Sequence, residues 1–257
     1  VTTAGTRRPF LTTKGIIAAV LVLAAAAVCV WLGFWQLDRL AERQARNAAV
    51  EEALDRSPLP LPGEGVALAR SDPAVADHRP AEARGTFVPE GTLLMRGRFF
   101  QGRPGVHLVT PLRLEEGSLL LVNRGWVGAP DGVSAESVPP PPPGEQRVRG
   151  ILQRLPVDAE GGRPLRAAAD GAEYLTLRRL DLTAVRAELG EEVLPVYLQE
   201  IRAAPPDARP QPVPLQELDE GPHLMYAVQW FGFAAVFVVG LAVFVFLRWR
   251  RREQPRS

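Results

Sequence analysis

Two uncharged apolar runs, one near each end, constrain this chain more than any other feature. The first, Gly15 to Trp35, reads GIIAAVLVLAAAAVCVWLGFW; the second fills Leu224 to Leu247 within GPHLMYAVQWFGFAAVFVVGLAVFVFLRWRRR. At about 1.5 Å rise per residue each is long enough, as a helix, to span the ~30 Å hydrocarbon core of a bilayer. Arg7, Arg8 and Lys14 precede the first on its N-terminal side, and Arg248, Arg250, Arg251 and Arg252 close the second. Basic flanks stay in the cytoplasm by the positive-inside rule. The expected topology therefore has two cytoplasmic basic tails, 1–14 and 248–257. Transmembrane helices occupy 15–36 and 223–247, and everything from about Leu40 to Glu220 is expected to lie outside the membrane.

Two rival readings of the first run were weighed. Thr6-Arg7-Arg8-Pro9-Phe10-Leu11 resembles a twin-arginine export signal, and Cys29 suggests a lipoprotein site. The run ends in Trp31, Phe34 and Trp35 rather than in a small-residue cleavage site, and Val28 precedes the cysteine. A retained anchor is the better expectation. Cys29 is the sole cysteine, which excludes an intramolecular disulfide and a cysteine-based zinc site. The formal net charge of +1 argues against nucleic acid as a partner.

Beyond Gly33 the residues are good helix formers without Pro or Gly, so the first helix is expected to extend over 37–56. Gly33, Trp35, Gln36 and Arg39 fall at its outer boundary. An aromatic belt with a snorkelling arginine accounts for Trp35 and Arg39 but not for Gln36. A Pro/Gly-rich linker is expected over 57–80, then an extracytoplasmic domain over 81–202 and a second linker over 203–222. Within the domain, Glu82–Val88, Thr92–Phe100, Val106–Leu114, Ser118–Val127, Arg147–Arg154, Glu173–Leu180 and Val193–Arg202 read as strands. Glu115-Glu116-Gly117 reads as a hairpin turn. Asp181 and Gly190 bracket a short helix. The fold class is thus α+β: two transmembrane helices flanking a mainly antiparallel-β domain with a short helix. Pro139–Pro143 reads as a stiff spacer and Glu160–Gly171 as a polar loop.

The three histidines, His78, His107 and His223, each stand without a second ligand at i+2 or i+4, and no Gly-x-Ser-x-Gly elbow occurs. His78 and His107 read as structural or solvated. The chain is not expected to be an enzyme.

Four motifs, in order, resemble one family. Gly33-Phe-Trp35-Gln36-Leu-Asp-Arg39 closes the first apolar helix. Gly102-Arg-Pro-Gly105-Val-His-Leu-Val-Thr110-Pro111-Leu112 precedes Leu121-Val-Asn123-Arg124-Gly125-Trp126-Val127. Arg149-Gly150 lies in a later strand, and His223-Leu-Met-Tyr226-Ala227-Val-Gln229-Trp230-Phe231 opens the last helix. Together they resemble the Surfeit locus protein 1 family, assembly factors of haem–copper cytochrome c oxidase, over nearly the whole chain. Gly221-Pro222 departs from the polar pair expected before the family's helix histidine, and the proline run and residues 156–172 look like insertions.

The resemblance implies a chaperone-like role in maturing the oxidase core subunit, haem a as a transient cofactor, and membrane lipids as surroundings. The family's haem-associated histidine matches His223. The helical stripe His223, Tyr226, Ala227, Trp230, Ala234 fits that role, with imidazole as axial ligand and a small residue between rings leaving room for a macrocycle. A position in the first helical turn favours a neutral, metal-ligating ring. Trp35 and Phe34 are expected as the opposite wall, Arg39 as a partner for haem carboxylates with Arg124 as a weaker candidate, and Gln36, Arg124, Trp126 and Gln229 as partner-facing groups. The alternative is a structural accessory subunit of the oxidase or its supercomplex, with the rings acting only as interfacial anchors.

Overall fold

The computed structural model describes residues 12–157, 163–205, 207–214 and 218–253, and side chains to residue 250 in the last helix. The Arg7-Arg8 tail, the tip of the loop expected from Glu160 and the side chains of Arg251 and Arg252 lie outside the described residues. The chain divides into two compact units, Val1–Ala48 with Leu218–Ser257, and Ala49–Glu217.

Two helices form the first unit. Helix α1 runs Thr13–Leu54. At 42 residues it is about 63 Å long, twice what the hydrocarbon core requires. Its partner, the last helix of the chain, runs His223–Glu253. Both are long and apolar enough to cross a membrane. Ile17, Val20, Leu21, Trp31 and Phe34 on the first, and Val228, Val236 and Val239 on the second, all point outward and exposed. A contiguous apolar surface of this kind is stable against lipid rather than water.

The less exposed residues of α1 recur at alternating spacings of four and three: Val22, Ala26, Cys29, Gly33, Gln36, Leu40, Arg43, Asn47. His223, Ala227, Trp230 and Ala234 follow the same rule on the last helix. This is the seam of a left-handed helix pair. Its lower part is made of small residues. A Cβ at Gly33 would stand 2.6 Å from the Phe231 ring, so only glycine admits that close approach. Phe34 meets the same ring edge-on at 5.4 Å between centroids.

The second unit is a β domain whose strands join in one nine-stranded sheet. In chain order these are β1 (Leu59–Leu61), β2 (Pro80–Phe87), β3 (Leu93–Phe100), β4 (Arg103–Leu114), β5 (Leu119–Gly128), β6 (Glu145–Arg154), β7 (Leu165–Ala169), β8 (Ala172–Leu177) and β9 (Val193–Glu200). β2 pairs with β6, β6 with β9, β9 with β5 and β5 with β4. Gly85–Phe87 of β2 then pairs with Leu112–Leu114 of β4 and closes a barrel. β1 extends β2 in parallel, and β3, β8 and β7 extend β4. Leu112, Leu120, Val122, Leu152, Val196 and Leu198 fill one core with Leu59 and Leu61. A second core, around Met95, Val109 and Leu121, packs on α4 (Leu182–Leu189). Asp181 caps that helix, accepting the Ala184 N–H at 2.9 Å, and Gly190 ends it at φ 98°.

The linker expected over 57–80 is structured. It contains β1 and two short helices, α2 (Glu64–Ser71) and α3 (Pro73–Ala76), the last capped by Asp72. Leu59, Leu61, Val66 and Ala69 are buried in the barrel core, so this segment belongs to the fold. The polar loop expected over 160–171 likewise contains β7, paired along its length with β8. The last helix, α5, begins at His223 with Pro222 just before it, and the Tyr226 N–H bonds the Pro222 carbonyl at 3.1 Å.

Candidate functional site

At the head of the helix pair the seam changes from small apolar residues to polar ones, and His223 stands at the change. Its Nδ1 lies 2.9 Å from Gln36 Oε1. An amide oxygen only accepts, so Nδ1 donates to it, and in the neutral form of the ring the lone pair then lies on Nε2. This is how a ligating imidazole is held by a second group. Two and three turns further along α1, Arg43 Nε and Asn47 Nδ2 both donate to the Asp219 carbonyl, at 3.1 and 3.0 Å. The Asp219 carboxylate accepts the Gly221 N–H at 2.9 Å and faces Arg43 at 3.4 Å. Gln44 donates to Glu220 at 2.9 Å. These bonds fix the chain just before α5 and thereby the level at which His223 meets α1.

The other expected site residues distribute differently. Arg39 stacks over Trp35 at 5.9 Å and pairs with Glu42 at 3.0 Å. Trp230 lies half-buried beside Phe233, with centroids 5.9 Å apart. Tyr226 is 47 % exposed and points away from the seam that His223, Ala227, Trp230 and Ala234 share. Gln229 is exposed. Ala227 and Ala234 are buried against α1 at 1 % and 5 % exposure. The small residues expected to leave room between the rings are thus spent on helix contact, because the Gly33–Phe231 approach closes the seam at that level.

Arg124 and Trp126, expected to face a partner, are both 6 % exposed within the barrel domain. Arg124 donates to the Pro139 and Pro140 carbonyls at 3.1 and 3.0 Å, so its fork is filled by the proline run. Trp126 packs against Phe100 and Gly105, and its backbone bonds that of Gln211 in both directions. Gly125, at φ 132°, permits this bridge, since a Cβ there would sit 2.2 Å from the Gln211 carbonyl oxygen.

A buried polar chain runs behind these residues. Asn123 Oδ1 accepts the Gly125 N–H at 3.2 Å, which orients its amide. Its Nδ2 then donates to His107 Nδ1 at 3.1 Å and to Gln199 Oε1 at 2.8 Å. His107 is held neutral: burial, with Arg98 nearby, pushes it down to about 3. Protonation would also set an N–H against the Asn123 amide donor. His107 is a structural acceptor.

Two helices of bilayer length, with a barrel domain between them in sequence, fit a membrane protein, and an oriented imidazole stands at the head of the helix pair. A profile of the SURF1 family matches residues 23–235, and the chain belongs to that family. It is 28 % identical to the SURF1-like protein Mb2259 of Mycobacterium bovis over 98 % of this chain and 92 % of that one. It is 34 % identical to a SURF1-like protein of Rickettsia bellii over 41 % of each chain. The cytochrome oxidase assembly protein SHY1 of Saccharomyces cerevisiae is 30 % identical over 43 % of this chain and 29 % of the yeast protein.

Proposed function

We propose that this chain is a non-enzymatic assembly factor of cytochrome c oxidase, anchored in a bacterial plasma membrane, which holds haem a through His223 for delivery to the oxidase core subunit. Family membership and the yeast relative's name support the oxidase as client. The observation that carries the haem reading is the Gln36–His223 hydrogen bond, which orients the ring and, in its neutral form, leaves the Nε2 lone pair for a metal. The residues fit an axial ligand. They do not fit a cofactor sandwiched between the helices, because Gly33, Ala227 and Phe231 close the seam. A haem would be held by His223 with the partly exposed ring of Trp230 beside it, and would supply the iron for the imidazole to ligate. Arg39, one turn above Gln36, supplies a cation whose present partner Glu42 is equally exposed and readily exchanged. The basic flanks set both termini on the cytoplasmic side and the barrel domain outside.

The test is an absorbance spectrum of the protein purified from cells that make haem a. The wild type is expected to show a haem band that His223→Ala abolishes and Gln36→Ala weakens. The closed seam favours one alternative, a structural subunit whose helices pack on the oxidase. A colourless wild type that co-purifies stoichiometrically with the oxidase would establish that alternative and end the carrier reading.

A further inference from the structure

A second site lies in the barrel domain, where Arg124, Arg147, Arg202 and Arg209 line one cavity of about 420 Å³ with a single carboxylate, Glu200. Burial pushes the Glu200 carboxyl up, against the pull of Arg202 and Arg124, and it is the one carboxylate among the lining residues. Arg202 already pairs with it at 3.3 Å. Arg147 shares Glu82 with Arg149, at 3.2 and 2.7 Å. Four guanidinium groups therefore line this cavity beside one lining carboxylate; the fork of Arg124 is taken by the proline carbonyls, while Arg147 and Arg209 keep exposed side chains.

One wall is the proline run, and several carbonyls around it are already taken: those of Pro139 and Pro140 by Arg124, that of Pro143 by Gln146 at 2.8 Å, and that of Pro210 by Arg202. Beside this wall Arg147 and Arg209 present exposed guanidinium N–H donors, which suits an oxyanion. Guanidinium forks match phosphate oxygens two at a time. The cavity is too large for a halide and of a size for a phosphate with a small substituent.

We infer that the proline run and Arg124, Arg147, Arg202 and Arg209 form a binding site for a phosphate group. The group comes either from a soluble phosphate compound or from an anionic phospholipid head. The Pro139–Pro143 segment is then the rigid wall of a pocket rather than a spacer, and Arg124 is the post that holds it.

The full chain in uncharged detergent tests this by its thermal midpoint in titrations with inorganic phosphate and with chloride at matched ionic strength. Phosphate is expected to stabilise saturably and chloride not. Arg147→Gln and Arg209→Gln, both on exposed side chains, are expected to shift the phosphate titration by about tenfold or more, a loss of ~1.4 kcal/mol. Arg113→Gln, exposed elsewhere on the barrel, should titrate as the wild type. In phosphatidylcholine vesicles, phosphatidylglycerol that abolishes the response to free phosphate identifies a lipid head. A retained response identifies a soluble compound. Equal effects of chloride and phosphate, or unaltered titrations of both variants, overturn the site.

Discussion

Arg43 and Asp219 lie 176 residues apart in the chain, and the guanidinium Nε of one donates to the main-chain carbonyl of the other at 3.1 Å. The bond is to backbone, so it fixes where the chain stands before α5 begins, and Asn47 fixes the same carbonyl from the next turn. Both partners are substantially exposed, so the global stability at stake is small, about 1 kcal/mol or less. The effect should be local. In Arg43→Ala with Asn47→Ala, amide exchange of Gly221 to Tyr226 is expected to accelerate while that of the barrel core stays unchanged. Uniform exchange across both regions would refute a positioning role.

A Cβ at Gly33 would stand 2.6 Å from the Phe231 ring, so any side chain there forces the ring to shift. Gly33→Leu should cost about 1–3 kcal/mol by overpacking. Adding Phe231→Ala should recover much of that loss, since the added methyls fill the vacated ring space. Thermal midpoints in detergent measure both variants, and additive losses in the double variant would contradict the packing.

His107 makes the barrel domain acid-sensitive. Its folded value, about 3, lies below the 6.5 of an ordinary histidine, so the unfolded chain binds a proton that the folded chain refuses. Stability from this group is complete above pH 6.5 and falls by about 1.4 kcal/mol per pH unit below it, until the folded value is reached. At pH 5 the loss is about 2 kcal/mol. Glu200, raised by burial, contributes with the opposite sign as acid neutralises it. The difference between wild type and His107→Gln isolates the histidine: urea midpoints of the variant should fall less between pH 7 and pH 5.

Asn123 supplies both donors of the buried polar chain and is 1 % exposed. Asn123→Ala leaves His107 Nδ1 and Gln199 Oε1 without that donor, and a cost of about 2–3 kcal/mol is expected. Urea denaturation at pH 7 measures it. A loss below about 1 kcal/mol would mean that water replaces the amide.

Local signals made much of this fold legible. The hairpin at Glu115–Gly117, the capped helix from Asp181 to Gly190 and the long strands each announce themselves within a few residues. β1 does not, because it is three residues long, contains Pro60 and is held by parallel pairing with β2. Nor does β7, whose polar, alanine-rich sequence is held by β8 and by burial of Ala167 and Ala169. Closure of the barrel between β2 and β4 also leaves no local trace.

At the site, His223 and Gln36 were each conspicuous in sequence, yet their contact depends on the register of two helices far apart in the chain. One signal was available and missed. The four-three repeat from Val22 through Cys29, Gly33 and Gln36 to Asn47 marks the inward face of α1 and places Gln36 on it. Arg124 and Trp126 misled because exposed and buried arginines look alike until the proline run is seen to fill the fork of one.

The closed seam between α1 and α5 has a consequence for traffic. With Ala227 and Ala234 pressed against the opposite helix, anything held by the imidazole on the proposed reading would be displayed on a surface and not enclosed between the helices. Transfer from such a display would need no gate to open and no helices to part. Its pace would then be set by lateral collision with a recipient, and shielding the cargo would fall to lipid or to that recipient.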